Sequence, residues 1–273
     1  MSGTYDYVIA DVFTDVALAG NQLAVFLDGD AVRDDLKQSL AKEIGFSETV
    51  YVGAEDHIRI FTPATELPFA GHPVLGTGYV LTRERGTTAV ELTCKAGPVA
   101  LTFDDGGRGR MVQPRPSVEP FGPVDALLGA LGVAASVVPV ETYVNGPEYQ
   151  IVVLPSPAAV AALAPDLHRL AAVVPRHGVS CVAGAGTEWK TRMFAPAAGV
   201  DEDAATGSAA GPLVVHLCRH GLVPWGTEIT ISQGAEIGRP STLYAVACGS
   251  DAGLDAVEVA GDTVIVGRGT FEL

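Results

Sequence analysis

The amino-acid sequence predicts an α+β protein of two similar domains, each a sheet curled around one buried helix. Two observations predict this. The first is an internal repeat. Arg59-Ile60-Phe61-Thr62-Pro63, a short loop, Ala70-Gly71-His72-Pro73 and a helical pattern are followed later by Arg192-Met193-Phe194-Ala195-Pro196, a short loop, Thr206-Gly207-Ser208-Ala209 and a second helical pattern. The offset is 133 residues at the arginines (192 − 59) and 136 at the glycines (207 − 71). The second observation is the ratio of elements. Many short strands accompany one strongly apolar helix per half, unlike the regular alternation of a doubly wound sheet.

In chain order, residues 5–13 alternate apolar and polar side chains and read as a strand, as do 23–27. Residues 31–43 carry Val32, Leu36 and Leu40 at helical spacing, with Asp30 placed as an N-cap. Short strands follow at 48–52 and 58–61, then a helix at 72–85 with little polar face, then strands at 89–93, 99–103 and 110–113. The proline-rich stretch 114–123 has no period and reads as a linker. The second half gives strands at 138–144 and 149–154, short helices at 158–163 and 167–173, and strands at 179–183 and 191–194. A buried helix at 207–220 comes next, then strands at 228–232, 242–248, 256–259 and 263–268. The expected domains are 1–116, with 262–273 returning to it as a last strand, and 124–261.

The 273 residues suffice for two ordinary domains, and 48% hydrophobic with 18% charged residues describes a globular chain. A formal charge of −15, with scattered Lys and Arg, argues against nucleic acid or an anionic membrane as partner. Cys94, Cys181, Cys218 and Cys248 show no C-x-x-C spacing, and no His/Cys ligand spacing, G-x-G-x-x-G after a strand or P-loop is read. No metal or other cofactor is therefore expected. The first seven residues lack the basic and apolar regions of a signal peptide, and no apolar run reaches about 20 residues, the length of a membrane span. A cytoplasmic protein with reduced cysteines is the expectation.

Both repeats place a helix N-terminus after a glycine-containing turn. Two such termini directed at the space between the domains would offer free N–H groups and positive dipole ends to a small carboxylate. Glu48, in Gly45-Phe46-Ser47-Glu48-Thr49-Val50, opens an apolar strand where partial desolvation suits a general base. Taken alone, a strand-end glutamate is more often simply exposed. The position 133 residues on (48 + 133) is Cys181, so only one copy of the repeat holds an acid there. His72 begins the first buried helix, as a proton relay or as a packing group at the helix start. Asp203 is the acid of Asp201-Glu202-Asp203 nearest the turn, and a capping role explains the other two. Gly71, Gly207 and Ser208 supply N–H groups, and Ser208 a hydroxyl.

These residues carry a resemblance. Phe46-Ser47-Glu48-Thr49, Arg59-Ile60-Phe61-Thr62-Pro63, Glu66-Leu67-Pro68-Phe69-Ala70-Gly71-His72-Pro73 and Asp203-Ala204-Ala205-Thr206-Gly207-Ser208-Ala209 are similar, in order, to the phenazine-biosynthesis PhzF-like isomerases. Gly20-Asn21 followed by Leu23-Ala24-Val25 resembles the family's opening motif. The resemblance implies a diaminopimelate epimerase-like fold of two pseudo-symmetric halves, each a mixed sheet around a central helix. It implies a cofactor-free proton shift in a small unsaturated cyclic carboxylic or amino acid, in antibiotic or other specialised-metabolite biosynthesis. Glu48 would be the base and His72 and Asp203 its assistants, while Ser47, Gly71, Gly207 and Ser208 would bind the substrate; a homodimer is expected. Gln22 and Ala204 stand where the family usually has proline, which bears on the substrate.

Two other readings compete. A racemase of this fold uses a thiol at each central helix N-terminus, where this chain has Ala70 and Thr206. A non-catalytic carboxylate-binding protein would not need Glu48, His72 and Asp203 together.

Overall fold

The computed structural model describes residues 3–176 and 178–273. Met1 and Ser2, with which the reading of the N-terminus began, lie outside the described residues. In chain order the elements are β1 (Thr4–Val12), β2 (Asn21–Phe26), α1 (Asp34–Ile44), β3 (Glu48–Val52), β4 (Ile58–Phe61), β5 (Glu66–Leu67), α2 (Gly71–Arg85), β6 (Ala89–Cys94), β7 (Gly97–Phe103) and β8 (Gly109–Gln113). They continue with β9 (Ser117–Pro120), α3 (Val124–Leu131), β10 (Glu141–Val144), β11 (Glu148–Val153), α4 (Pro157–Ala161), α5 (Leu167–Val173), β12 (Gly178–Ala185), β13 (Glu188–Ala195) and β14 (Val200–Asp203). The last are α6 (Gly207–Arg219), β15 (Ile229–Gln233), β16 (Ser241–Ser250), β17 (Gly253–Gly261) and β18 (Thr263–Glu272). The chain divides into two compact units, residues 1–112 with 260–273, and residues 113–259.

In the first unit one sheet runs β18-β1-β2-β3-β4-β5. It is mixed, because β2 and β3 are parallel across the α1 crossover while the other pairs are antiparallel. The hairpin strands β6, β7 and β8 complete the wrap, and a parallel bridge joins His57 to Thr93. The central helix is α2, packed against β1, β2, β3, β6, β7 and β18. Close approach needs glycine: a Cβ at Gly76 would lie 2.6 Å from both Leu23 Cδ2 and Val12 Cγ2. Helix α1 covers the outer face over a small core of Phe26, Leu40, Tyr51 and Phe61.

The second unit repeats the plan. Its sheet runs β17-β16-β15-β13-β12-β11-β10-β9, with β14 on β13. Strands β11 and β12 are parallel, as β2 and β3 are, with α4 and α5 in the crossover. Strands β12, β13 and β14 are antiparallel in succession, as β3, β4 and β5 are, and lead into α6. The parallel pairing of β13 with β15 matches the bridge between His57 and Thr93. Helices α3, α4 and α5 cover the outer face, over Leu127, Val152, Leu170, Cys181 and Phe194.

The structure departs from the sequence reading at several elements. The stretch read as a linker contains β9, whose Ser117–Pro120 pairs with β10. Helix α3 follows Pro123, where no helix was expected. Asp30 does not cap α1: the helix begins at Asp34 with Arg33 as its N-cap, and Asp30 instead accepts from Ala54 N–H at 2.7 Å. Residues 200–203, where no strand was expected, form β14, and Asp203, read as the acid nearest the turn, is its last residue.

The repeat has a physical core. Arg59 forks Glu66 (Nε to Oε1 2.9 Å, Nη2 to Oε2 3.0 Å), and Arg192 forks Glu202 (Nε to Oε1 2.9 Å, Nη2 to Oε2 2.7 Å). Each guanidinium also lies over the phenylalanine two residues on, 5.1 Å from the Phe61 ring centre and 5.0 Å from that of Phe194. The offset rises to 136 at the glutamates (202 − 66), so three extra residues enter the loop between arginine and glutamate in the second copy. In each copy the fork ties the hairpin to the strand that leads into the central helix.

Candidate functional site

Glu48 is the first residue of β3, and the parallel ladder sets it beside Leu23 of β2. His72 is the second residue of α2, whose N-cap is Ala70, so it is not the cap residue itself. Its Nδ1 lies 3.0 Å from Glu48 Oε2, and its Nε2 lies 3.1 Å from the Gln22 carbonyl oxygen. That oxygen can only accept, so Nε2 carries a proton and Nδ1 faces the carboxylate. Glu48 Oε2 is buried, and the contact to Nδ1 has ion-pair distance without hydrogen-bond alignment. The pair can hold one proton in two ways: carboxylate with imidazolium, or carboxylic acid with neutral imidazole. Ser47 donates to Asn21 Oδ1 at 3.1 Å, and Asn21 is itself buried. Because Gln22 acts through its backbone carbonyl, a proline at that position would offer the same acceptor.

In the second unit, β14 delivers Asp203 to the start of α6. Thr206, the helix N-cap, donates from Oγ1 to Asp203 Oδ2 at 2.6 Å. Gln233 of β15 joins them, its Oε1 accepting from Thr206 N–H at 3.2 Å and its Nε2 donating to the Asp203 carbonyl at 2.9 Å. The Ser208 hydroxyl lies 2.6 Å from the Tyr149 hydroxyl. Gly207 and Ser208 open the helix, and their N–H groups have no intrahelical acceptor. Pro212 removes the N–H that would bond the Ser208 carbonyl; Asn145 Nδ2 donates to that oxygen instead, at 2.9 Å. Gln113 Nε2 donates to the Gly207 carbonyl at 2.8 Å. The first turn of α6 is thus held by side chains from outside the helix.

The structure brings Glu48, His72 and Gly71 together, with Ser47 next in chain to Glu48. It likewise brings Asp203, Gly207 and Ser208 together. Tyr149, Asn145 and Gln233 escaped the sequence reading, and Asn21 entered it only as part of a motif, with no role. They are single polar residues on strands and turns with no spacing to mark them, although a polar residue inside an apolar strand, as at Gln233, is a usable signal. The pairing of Glu48 with Cys181 is corrected by the ladders. Tyr51 faces Arg59 and Cys181 faces Arg192, so the offset at this strand is 130 (181 − 51) and Glu48 corresponds to Gly178 (178 − 48 = 130). A Cβ at Gly178 would lie 2.8 Å from both Met193 Sδ and the Phe194 carbonyl oxygen, so the second copy has no room for an acid. Cys181 is fully buried and burial pushes its thiol up to about 12. Among the described residues no helix is long and apolar enough to cross a membrane.

A sequence profile of the phenazine biosynthesis-like protein family matches residues 10–269. Trans-2,3-dihydro-3-hydroxyanthranilate isomerase of Pseudomonas aeruginosa is 46% identical over 272 residues, covering 96% of this chain and 98% of that enzyme. Among solved structures, a PhzF-family phenazine biosynthesis protein of Bacillus anthracis matches with a TM-score of 0.86 at 23% identity, covering 99% of each chain. A probable proline racemase of Agrobacterium radiobacter matches with a TM-score of 0.68 at 13% identity, covering 97% of this chain and 92% of that one. These two likenesses show the shared two-domain α+β fold. The profile match, together with the 46% identity carried across nearly all of both chains, establishes that this protein belongs to the phenazine biosynthesis-like, PhzF-like, family of isomerases.

Proposed function

We propose that this protein moves a proton, and with it a double bond, within a small unsaturated cyclic amino acid, without metal or other cofactor. The observation that carries this is the buried Glu48 Oε2 facing His72 Nδ1 at 3.0 Å, with the far side of the imidazole fixed by the Gln22 carbonyl. Glu48 takes a proton from a carbon next to a double bond. The C–H electron pair becomes a new double bond, the old one shifts, and the proton returns to the far carbon of the allylic system. Atoms and charge balance with no co-reactant. His72 stabilises whichever partner is charged at each step. The α6 N-terminus, with Gly207, Ser208 and Tyr149, suits the substrate carboxylate, and Asp203 with Gln233 holds that terminus in shape. The 46% identical relative makes trans-2,3-dihydro-3-hydroxyanthranilate the first substrate to try.

The epimerase reading lacks its residues. The two helix N-caps are Ala70 and Thr206, neither of which can act as a thiolate base. One carboxylate returns a proton to the face from which it came. Run in heavy water on trans-2,3-dihydro-3-hydroxyanthranilate, the product should carry deuterium at a carbon other than the one deprotonated, with the double bond moved, as read by proton NMR. Deuterium confined to an inverted α-carbon would instead mark an epimerase, and a chain that binds the compound without exchange would be a binding protein. A cytoplasmic homodimer completes the proposal: all four cysteines are free thiols, which suits a reducing compartment. Light scattering on the purified protein reads the dimer directly.

A further inference from the structure

Helix α6 carries a second group of side chains at its other end. His216 and His220 lie one turn apart on the helix, and both reach Glu141 of β10. His216 Nδ1 is 3.3 Å and His220 Nε2 is 3.0 Å from the same oxygen, Glu141 Oε2. One ligand atom from each of the three residues falls within 4.8 Å of the others. The other carboxylate oxygen, Oε1, is taken by Arg219 Nη2 at 3.3 Å, which leaves Oε2, the oxygen both histidines face, to act as a monodentate ligand. The Tyr143 hydroxyl, 2.9 Å from Oε2 and 3.1 Å from His216 Nδ1, braces both. The histidine spacing, H-x-x-x-H on one helical face, is a ligand spacing that the sequence reading passed over.

We propose that Glu141, His216 and His220 form a structural metal site that takes one zinc-class divalent ion and locks the end of α6 to β10. Tetrahedral Zn2+ with ligands at about 2.0–2.2 Å sets them about 3.3–3.5 Å apart. Two of the three separations already stand at 3.3 Å and 3.0 Å, so a small rotation of His220 completes the triangle. Two imidazoles and one carboxylate favour zinc, cobalt or nickel over calcium or magnesium, which take oxygen shells. His216 is fully buried, and its Nδ1 is held toward the cluster, 3.3 Å from Glu141 Oε2 and 3.1 Å from the Tyr143 hydroxyl. Entry is open, since Glu141 and His220 are partly exposed. The site stands about 12 Å or more along the helix from Ser208, at 1.5 Å per residue, so the ion is not catalytic.

The test uses tag-free full-length protein, stripped with chelator and titrated with Co2+ and then Zn2+. The expected result is one equivalent bound, visible d–d absorption from cobalt that zinc bleaches, and a Tm raised by at least about 5 °C in zinc. His220→Ala should lose all three while keeping its isomerase turnover, and Glu141→Gln should lose the absorption. His220 is at the helix end and partly exposed, so its variant folds even if His216→Ala does not. Failure of the wild-type protein to bind a stoichiometric ion, leaving only a hydrogen-bonded helix cap, overturns the proposal. So does binding by His220→Ala as tight as by the wild type.

Discussion

Glu48 Oε2 and His72 Nδ1 lie 3.0 Å apart, and the proposed base is tested at that pair. Glu48→Gln keeps the shape and the β3 register but replaces the basic carboxylate with an amide that is no base. Turnover should fall by at least about 100-fold, with the circular dichroism spectrum unchanged. Cys181 gives the opposite expectation. Its thiol is fully buried and held protonated up to about pH 12, so iodoacetamide at pH 8 should leave it unmodified in the native protein and activity intact. Mass spectrometry of the labelled chain distinguishes it from the partly exposed Cys248. Activity lost in step with Cys181 labelling would return the thiol to the chemistry.

The paired Arg–Glu forks differ in depth. The Arg192 and Glu202 side chains are 9% and 10% exposed, whereas those of Arg59 and Glu66 are 31% and 21% exposed. Arg192 also caps α4, donating from Nη1 to the Leu163 carbonyl at 2.6 Å and the Ala161 carbonyl at 3.2 Å. Breaking the deeper pair leaves a buried guanidinium uncompensated. Glu202→Gln should therefore cost about 3 kcal/mol, and Glu66→Gln about 1 kcal/mol or less, by urea denaturation. Equal losses would mean that solvent screens both forks alike. The forks also explain what was legible in the sequence. Arg59-Ile60-Phe61 and Arg192-Met193-Phe194 recur because each does the same local work, and the buried helices announced themselves through unbroken apolar runs. The strands β9 and β14 and the helix α3 left no such mark. Four-residue strands are too short for a period, and the prolines around residue 120 read as a break although an edge strand tolerates them.

At the scale of the whole molecule, the two units share a plan but not a chemistry. The plan was readable because the repeat survives in sequence. The asymmetry was only half readable: the position matching Glu48 was misassigned because a longer β12–β13 hairpin shifts the offset from 133 to 130. The carboxylate in one copy and the glycine in the other suit a reaction that needs one base. The residues that shape the α6 terminus, Asn145, Gln113 and Gln233, are drawn from three distant parts of the second unit, and only the fold gathers them.

Strand β18 pairs with β1 along its length, Thr4 opposite Glu272 through Val12 opposite Thr263. The first unit is therefore assembled from segments about 250 residues apart, while the second is one continuous stretch, 113–259. During synthesis, β1 emerges early with an unpaired edge and waits for residues 263–272 before that edge is closed. The loop to be closed is long, so its entropy weighs against early pairing. The second unit should therefore gain its structure before the last strand closes the first. Pulsed hydrogen exchange during refolding reads this order. Amides of β12 and β13 should be protected before those of β1 and β18, and the reverse order would show that the distant strands find each other without help.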